Sequence, residues 1–173
     1  DCCSSLTGEL TIPDSVNTIE QLAFNNCYGF SKLTLSRSIR NILDNSFQNC
    51  SGLKGELVIP DSTKSIGKMA FYNCTGLDKL NIQSAFIQID DKAFDSTDLS
   101  VVSFGGTSNI HCGLDVFPKG QKLSLPSNYF SDDFCGINIK SDSTDIETVS
   151  PDIETISPNI ETDSTNSNNP DSN

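Results

Sequence analysis

No run of apolar residues in this chain approaches the roughly 18–20 that a membrane-crossing helix needs. No lysine or arginine follows Lys140, and a single histidine, His111, serves all 173 positions. G-x-S-x-G, H-E-x-x-H, a Walker loop and C-x-x-C are all missing, so the usual signatures of acyl transfer, zinc hydrolysis, nucleotide handling and dithiol redox chemistry are not there. Clustered cations are not visible along the chain, which argues against a DNA or RNA partner. The opening "DCCSS" shows no basic-then-apolar leader and falls in the middle of a repeat, as expected of a mature product or a piece of something longer.

The formal charge of −12 comes from 23 acids and 11 bases, unevenly placed. Residues 141–173 hold eight acids and no base, which leaves 15 acids against 11 bases, or −4, for residues 1–140. That tail repeats with a period of seven, as "DIETVSP", "DIETISP" and "NIETDS", but Pro151 and Pro158 forbid a heptad helix. Its Ser, Thr, Asp, Asn and Pro content is too poor in apolar residues to offset the entropy of ordering, so 141–173 is expected to be a disordered acidic tail.

The rest of the chain is a repeat. "CSSLTGELTIPDSVNTIEQLAFNNC" at 3–27 returns almost intact as "CSGLKGELVIPDSTKSIGKMAFYNC" at 50–74. Between them lies a looser copy. The anchors Leu10/Ile12, Leu33/Leu35, Leu57/Ile59 and Leu80/Ile82 are each followed by Ile19, Ile42, Ile66 and Ile89, then by Phe24, Phe47, Phe71 and Phe94. Cys27, Cys50 and Cys74 close three of these units, with Thr97 in the fourth place. A unit of 23–24 residues cannot bury both of its apolar faces, whereas stacked copies cover one another, which is the logic of a solenoid. The Leu-x-Ile alternation predicts a half-buried strand, and Pro13 and Pro60 close two of the strands. The Ile and Phe columns would fill the layer behind.

The pattern L-x-I-P-D-S-V-x-x-I-x-x-x-A-F-x-N-C resembles the BspA-like leucine-rich repeat family of bacteria and parasitic protists. The resemblance implies a leucine-rich-repeat solenoid with a parallel β-sheet on one face, and a cell-surface or secreted role in adhesion or ligand binding. Residues 1–104 are assigned to the repeats, the first one truncated. Residues 105–140, where glycine enters and the spacing breaks, are assigned to an irregular C-terminal cap.

Cysteine and asparagine leave alternatives open. Cys3, Cys27, Cys50 and Cys74 share one column, and packing as reduced apolar side chains is favoured over bridges because Thr97 takes the fourth position. Cys112 and Cys135 are the better disulfide candidates, with Cys2 the odd one. Asn49-Cys50-Ser51 and Asn73-Cys74-Thr75 satisfy the N-glycosylation sequon, although the repeat turn would write the same letters without any glycan. His111 beside Cys112 would make a poor nucleophile pair, since neighbours on an extended chain point apart. Asp90, Asp91, Asp95 and Asp98 lack the spacing of a calcium loop. No catalytic, cofactor or metal site is assigned, and the chain is read as no enzyme.

The expected working surface is the outward face of the strands, with Glu9, Thr11, Lys32, Thr34, Glu56, Val58, Lys79 and Asn81 as its candidate residues. Its charges alternate down the stack (Glu9, Lys32, Glu56, Lys79; then Asp14, Arg37, Asp61), so adjacent layers attract, and the unit of repetition is a complementary pair. Two functions fit. One is a surface or secreted module that binds a protein or glycan on a host cell or matrix. The other is a cytoplasmic scaffold for protein–protein interaction, which reduced thiols would suit.

Overall fold

The computed structural model describes residues 5–107, 110–139 and 146–149. Each turn of the chain lays down one long strand and one short strand at fixed positions. The long strands are β1 (Gly8–Thr11), β3 (Phe30–Thr34), β5 (Gly55–Ile59), β7 (Leu77–Ile82), β9 (Val101–Phe104) and β11 (Lys122–Pro126). The short ones are β2 (Thr18–Ile19), β4 (Asn41–Ile42), β6 (Ser65–Ile66), β8 (Ile87–Ile89) and β10 (Ile110–Cys112). All pairings among these strands are parallel, long with long and short with short, giving a front and a back wall. The fold is a leucine-rich-repeat solenoid, and its register aligns Leu57 with Leu80 and Leu80 with Val102, as the anchor columns require.

Between the walls the phenylalanine column forms a ladder. Rings of Phe24, Phe47, Phe71, Phe94 and Phe117 follow one another at 5.1, 5.1, 5.2 and 5.6 Å, inclined by 2–13°. Each ring covers the next, so burial grows with every added turn. The residue before the ring must be small. Ala70 and Ala93 fill that place without solvent contact, but Ser46 puts a hydroxyl there that is buried without a hydrogen-bond partner. Ser46→Ala is therefore expected to stabilise the protein by about 1 kcal/mol in denaturant unfolding, since an unsatisfied hydroxyl is removed and the size suits the column. A loss of stability would show that Oγ is satisfied after all.

Parallel stacking of strands continues past residue 104. Phe117 keeps the phenylalanine step at 23 residues and Cys112 stands in the isoleucine column. Val102/Phe104 and Leu123/Leu125 still alternate as strands, but the intervals between long strands shrink to 22 and 21 residues, which obscured them in the sequence. What remains for a cap is a short hairpin, β12 (Asp133–Phe134) with β13 (Ile137–Asn138). Phe134 is fully buried there and lies 5.9 Å from Phe117, closing the end of the ring ladder. Cys112 and Cys135 join the last full turn to this hairpin by a disulfide, Cα–Cα 5.1 Å. Within the stretch expected to be disordered, β14 (Ile146–Val149) pairs in parallel with β11 and extends the front wall. The rest of 141–173 lies outside the described residues.

The back wall is continuous over five strands, but the front wall is split between β3 and β5. On the later interfaces, Gln83 N–H donates to Ile59 O and Gly105 N–H to Ile82 O. The residue in the same column at the β3–β5 interface is Pro60, which has no N–H to give. Lys54 N–H to Ser31 O, 3.1 Å, still crosses the seam at its start.

Candidate functional site

The strand face is where the candidate residues gather. Glu9 lies beside Lys32 and Thr11 beside Thr34; across the seam, Glu56 lies beside Lys79 and Val58 beside Asn81. All are exposed except Asn81, which is half-buried. The pairing of opposite signs in adjacent layers follows from the 47-residue copy. The same copy sets a register shift after Gly8 and again after Gly55, both at positive φ. Opposite charges so placed contribute about 0.2–1 kcal/mol each, less in salt. Where the front wall parts, a shallow groove of about 730 Å³ opens, bordered by Glu9, Lys32, Arg37, Lys54, Glu56 and Val58. The face thus combines a flat, nearly neutral sheet with one cleft across it.

The corner between front and back walls holds two cations, Arg40 and Lys64, that sequence reading missed. Arg37, Arg40 and Lys64 border a second groove of about 490 Å³, with Asp14, Ser15 and Ser38. The expectation that cations are not clustered fails here. Arg40 and Lys64 stand 24 residues apart in one column of the repeat, a signal readable by extending the column comparison past the strand.

Asn26, Asn49 and Asn73 form a ladder on the side away from the strands. Each takes a positive φ, of 61, 62 and 58°, which asparagine tolerates better than most residues. Asn49 Nδ2 donates to Asn26 Oδ1 at 2.8 Å and Asn73 Nδ2 donates to Asn49 Oδ1 at 2.9 Å. The sequon asparagines are half-buried, and each Nδ2 already donates one of its two hydrogens to the layer before.

Cys27, Cys50 and Cys74 are buried as thiols, while Cys3 lies outside the described residues. Cys50 donates to Phe24 O at 3.0 Å and Cys74 to Phe47 O at 3.1 Å, each reaching back one layer. Burial, reinforced by Cys50 and only partly offset by its backbone, pushes the Cys74 thiol far above the ordinary range. It stays protonated and inert at any physiological pH. Thr97 in the same column differs, its hydroxyl donating within its own turn to Phe94 O at 2.7 Å.

Cys112, Asp90, Asp91 and Asp95 have structural tasks. Cys112 is bonded to Cys135 and offers no thiolate, and His111 stands exposed on β10 opposite Gln88. Asp91 Oδ1 accepts from Leu114 N–H, as Asp44 Oδ1 accepts from Lys68 N–H 47 residues earlier. Asp95 Oδ1 accepts from Ser96 N–H and Asp90 Oδ1 from Gln88 Nε2. Among the described residues no three of His, Cys, Asp and Glu gather as metal ligands, and no helix is long and apolar enough to cross a membrane.

The family model for the BspA type leucine rich repeat region matches residues 1–124 in six copies. No curated protein and no solved structure matches the chain. Six copies over that span agree with six long strands ending at β11, and repeat solenoids of this kind typically serve as binding scaffolds. The chain belongs to the BspA type leucine rich repeat family, whose members are often surface proteins involved in binding.

Proposed function

We propose that this protein is a non-enzymatic cell-surface or secreted binding module whose strand face takes a protein or glycan ligand on a host cell or matrix. The observation that carries the reading is the exposed front wall, where Thr11, Lys32, Thr34, Glu56, Val58 and Lys79 are displayed on rigid, hydrogen-bonded strands around one cleft. Preorganised strands lose little entropy when a partner docks, which favours recognition by this face over the turns. Export is supported by the Cys112–Cys135 pair, because disulfides persist in oxidising compartments. The three buried thiols do not count against it, since a thiol sealed in the core is out of reach of oxidants.

Antibody labelling of intact source cells, compared with permeabilised ones, tests the location. Intact cells are expected to label. Signal confined to permeabilised cells would sink the surface reading in favour of a cytoplasmic scaffold. For the face, Thr34→Arg with Val58→Arg should reduce adhesion of the soluble chain to host cells or matrix at least about tenfold, as a central bulky charge excludes a docked partner. Unchanged adhesion would move the site elsewhere.

A further inference from the structure

The corner groove departs from the alternation of charge seen in the paired layers of the strand face. On the strand face, Lys32 sits one layer from Glu9 and Lys79 one layer from Glu56. In the corner, Arg40 and Lys64 follow one another directly, with Arg40 N–H donating to Asn17 O at 2.8 Å and Lys64 N–H to Arg40 O at 2.7 Å. Their backbones are thus one strand spacing apart, about 4.8 Å. Like charges so stacked are destabilising, and Arg37 adds a third to the same groove against one acid, Asp14. Nothing in the packing requires this, because the column begins with Asn17 and continues with Ile87 and Ile110. Arg37 also borders the seam groove, so the two hollows adjoin at one side chain.

We infer that the groove of Arg37, Arg40 and Lys64 is a binding site for an acidic saccharide, a sugar unit bearing a sulfate or carboxylate. Guanidinium groups present paired N–H donors that match the oxygens of either anion, and an ammonium adds a movable donor. Ser15 and Ser38, one layer apart, and the Asp14 carboxylate supply partners for sugar hydroxyls. About 490 Å³ admits one or two sugar rings. A bare polyanion is a poorer fit, since Asp14 would oppose it and the chain as a whole carries −12. The inference deepens the surface-binding reading and rests on it for the source of the ligand.

The test uses the full chain and three hexasaccharides of equal length: heparin-derived, hyaluronan-derived and the uncharged maltohexaose. Calorimetry at low and physiological salt should show binding of the heparin-derived or the hyaluronan-derived probe, the stronger one identifying sulfate or carboxylate as the anion. Maltohexaose should not bind. Arg40→Ser with Lys64→Ser, both exposed positions, should weaken binding about tenfold or more. Lys119→Ser with Lys122→Ser removes the same charge elsewhere and should change it less than about twofold. Arg40→Gln with Lys64→Gln repeats the test should the serine variant unfold. Three results would overturn the assignment: no binding of either acidic probe, equal losses in the two charge-matched variants, or tripolyphosphate binding as tightly as the saccharide. Failure here with labelled intact cells would leave the surface reading standing. Binding here without surface labelling would keep the site and remove its host-cell ligand.

Discussion

Replacing Gly52 with alanine is expected to remove at least about 3 kcal/mol of stability, among the largest effects any single methyl can have in this fold. A Cβ on Gly52 would press into the carbonyl oxygen of Tyr28 and come within 2.7 Å of Phe30 O, both backbone atoms of the preceding layer. Backbone cannot rotate aside as a flexible side chain can, so the two layers would have to part, exposing the neighbouring Leu53 and Phe30, both buried. Gly29 and Gly76 meet Leu6 O and Leu53 O in the same way, so the position is a column of close approach. Gly55 provides the comparison. Its φ is +76° but a Cβ there would point into open space, so Gly55→Ala should cost only the left-handed backbone penalty, about 1–2 kcal/mol. Denaturant unfolding of both variants decides the matter. Equal losses would mean that backbone conformation, not layer contact, fixes these glycines.

Phe71→Ala should cost about 3–5 kcal/mol, and should cost more than the same change at either end of the ladder. Phe71 is fully buried and stacks on Phe47 at 5.1 Å and on Phe94 at 5.2 Å, so its removal opens a void between two rings and ends two stacking contacts. Phe24 is only half-buried and has a parallel ring on one side alone, so Phe24→Ala should lose about half as much. Phe71→Leu, which keeps most of the volume, should fall between the two. If Phe24→Ala proved as damaging as Phe71→Ala, the ladder would not be the element that joins the layers.

Most of the solenoid could be read before any coordinates, because columns of identical residues record which positions meet the same neighbours. Leu10, Leu33, Leu57 and Leu80 announce the front wall, and the phenylalanine column announces the ring ladder. Four features escaped. The glycines after the repeat cysteines look like turn residues, but the left-handed φ values fall on Asn26, Asn49, Asn73 and Ser96 a few positions earlier. The glycines serve contact between layers, a demand that arises only once the layers stack. Leu123 and Leu125 read as part of a cap because unequal spacing hides the column that Phe117 still keeps. The corner groove escaped because Arg40 and Lys64 stand just before the short strands, away from the strand face, and meet only when the turns stack. For the strand face, the sequence showed the alternation of charge but not the seam, which depends on Pro60 facing a carbonyl across a layer boundary.

That seam also bears on how such a chain could change its length. Loss or gain of 23 residues would bring Lys32 against Lys79, or Glu9 against Glu56. Loss or gain of 47 residues, between the nearly identical stretches 3–27 and 50–74, keeps the matched Glu–Lys pair intact, and a gain repeats the proline boundary with it. Unequal recombination at those stretches would thus yield chains already fit to fold, and descent in this lineage should leave repeat numbers that change by twos.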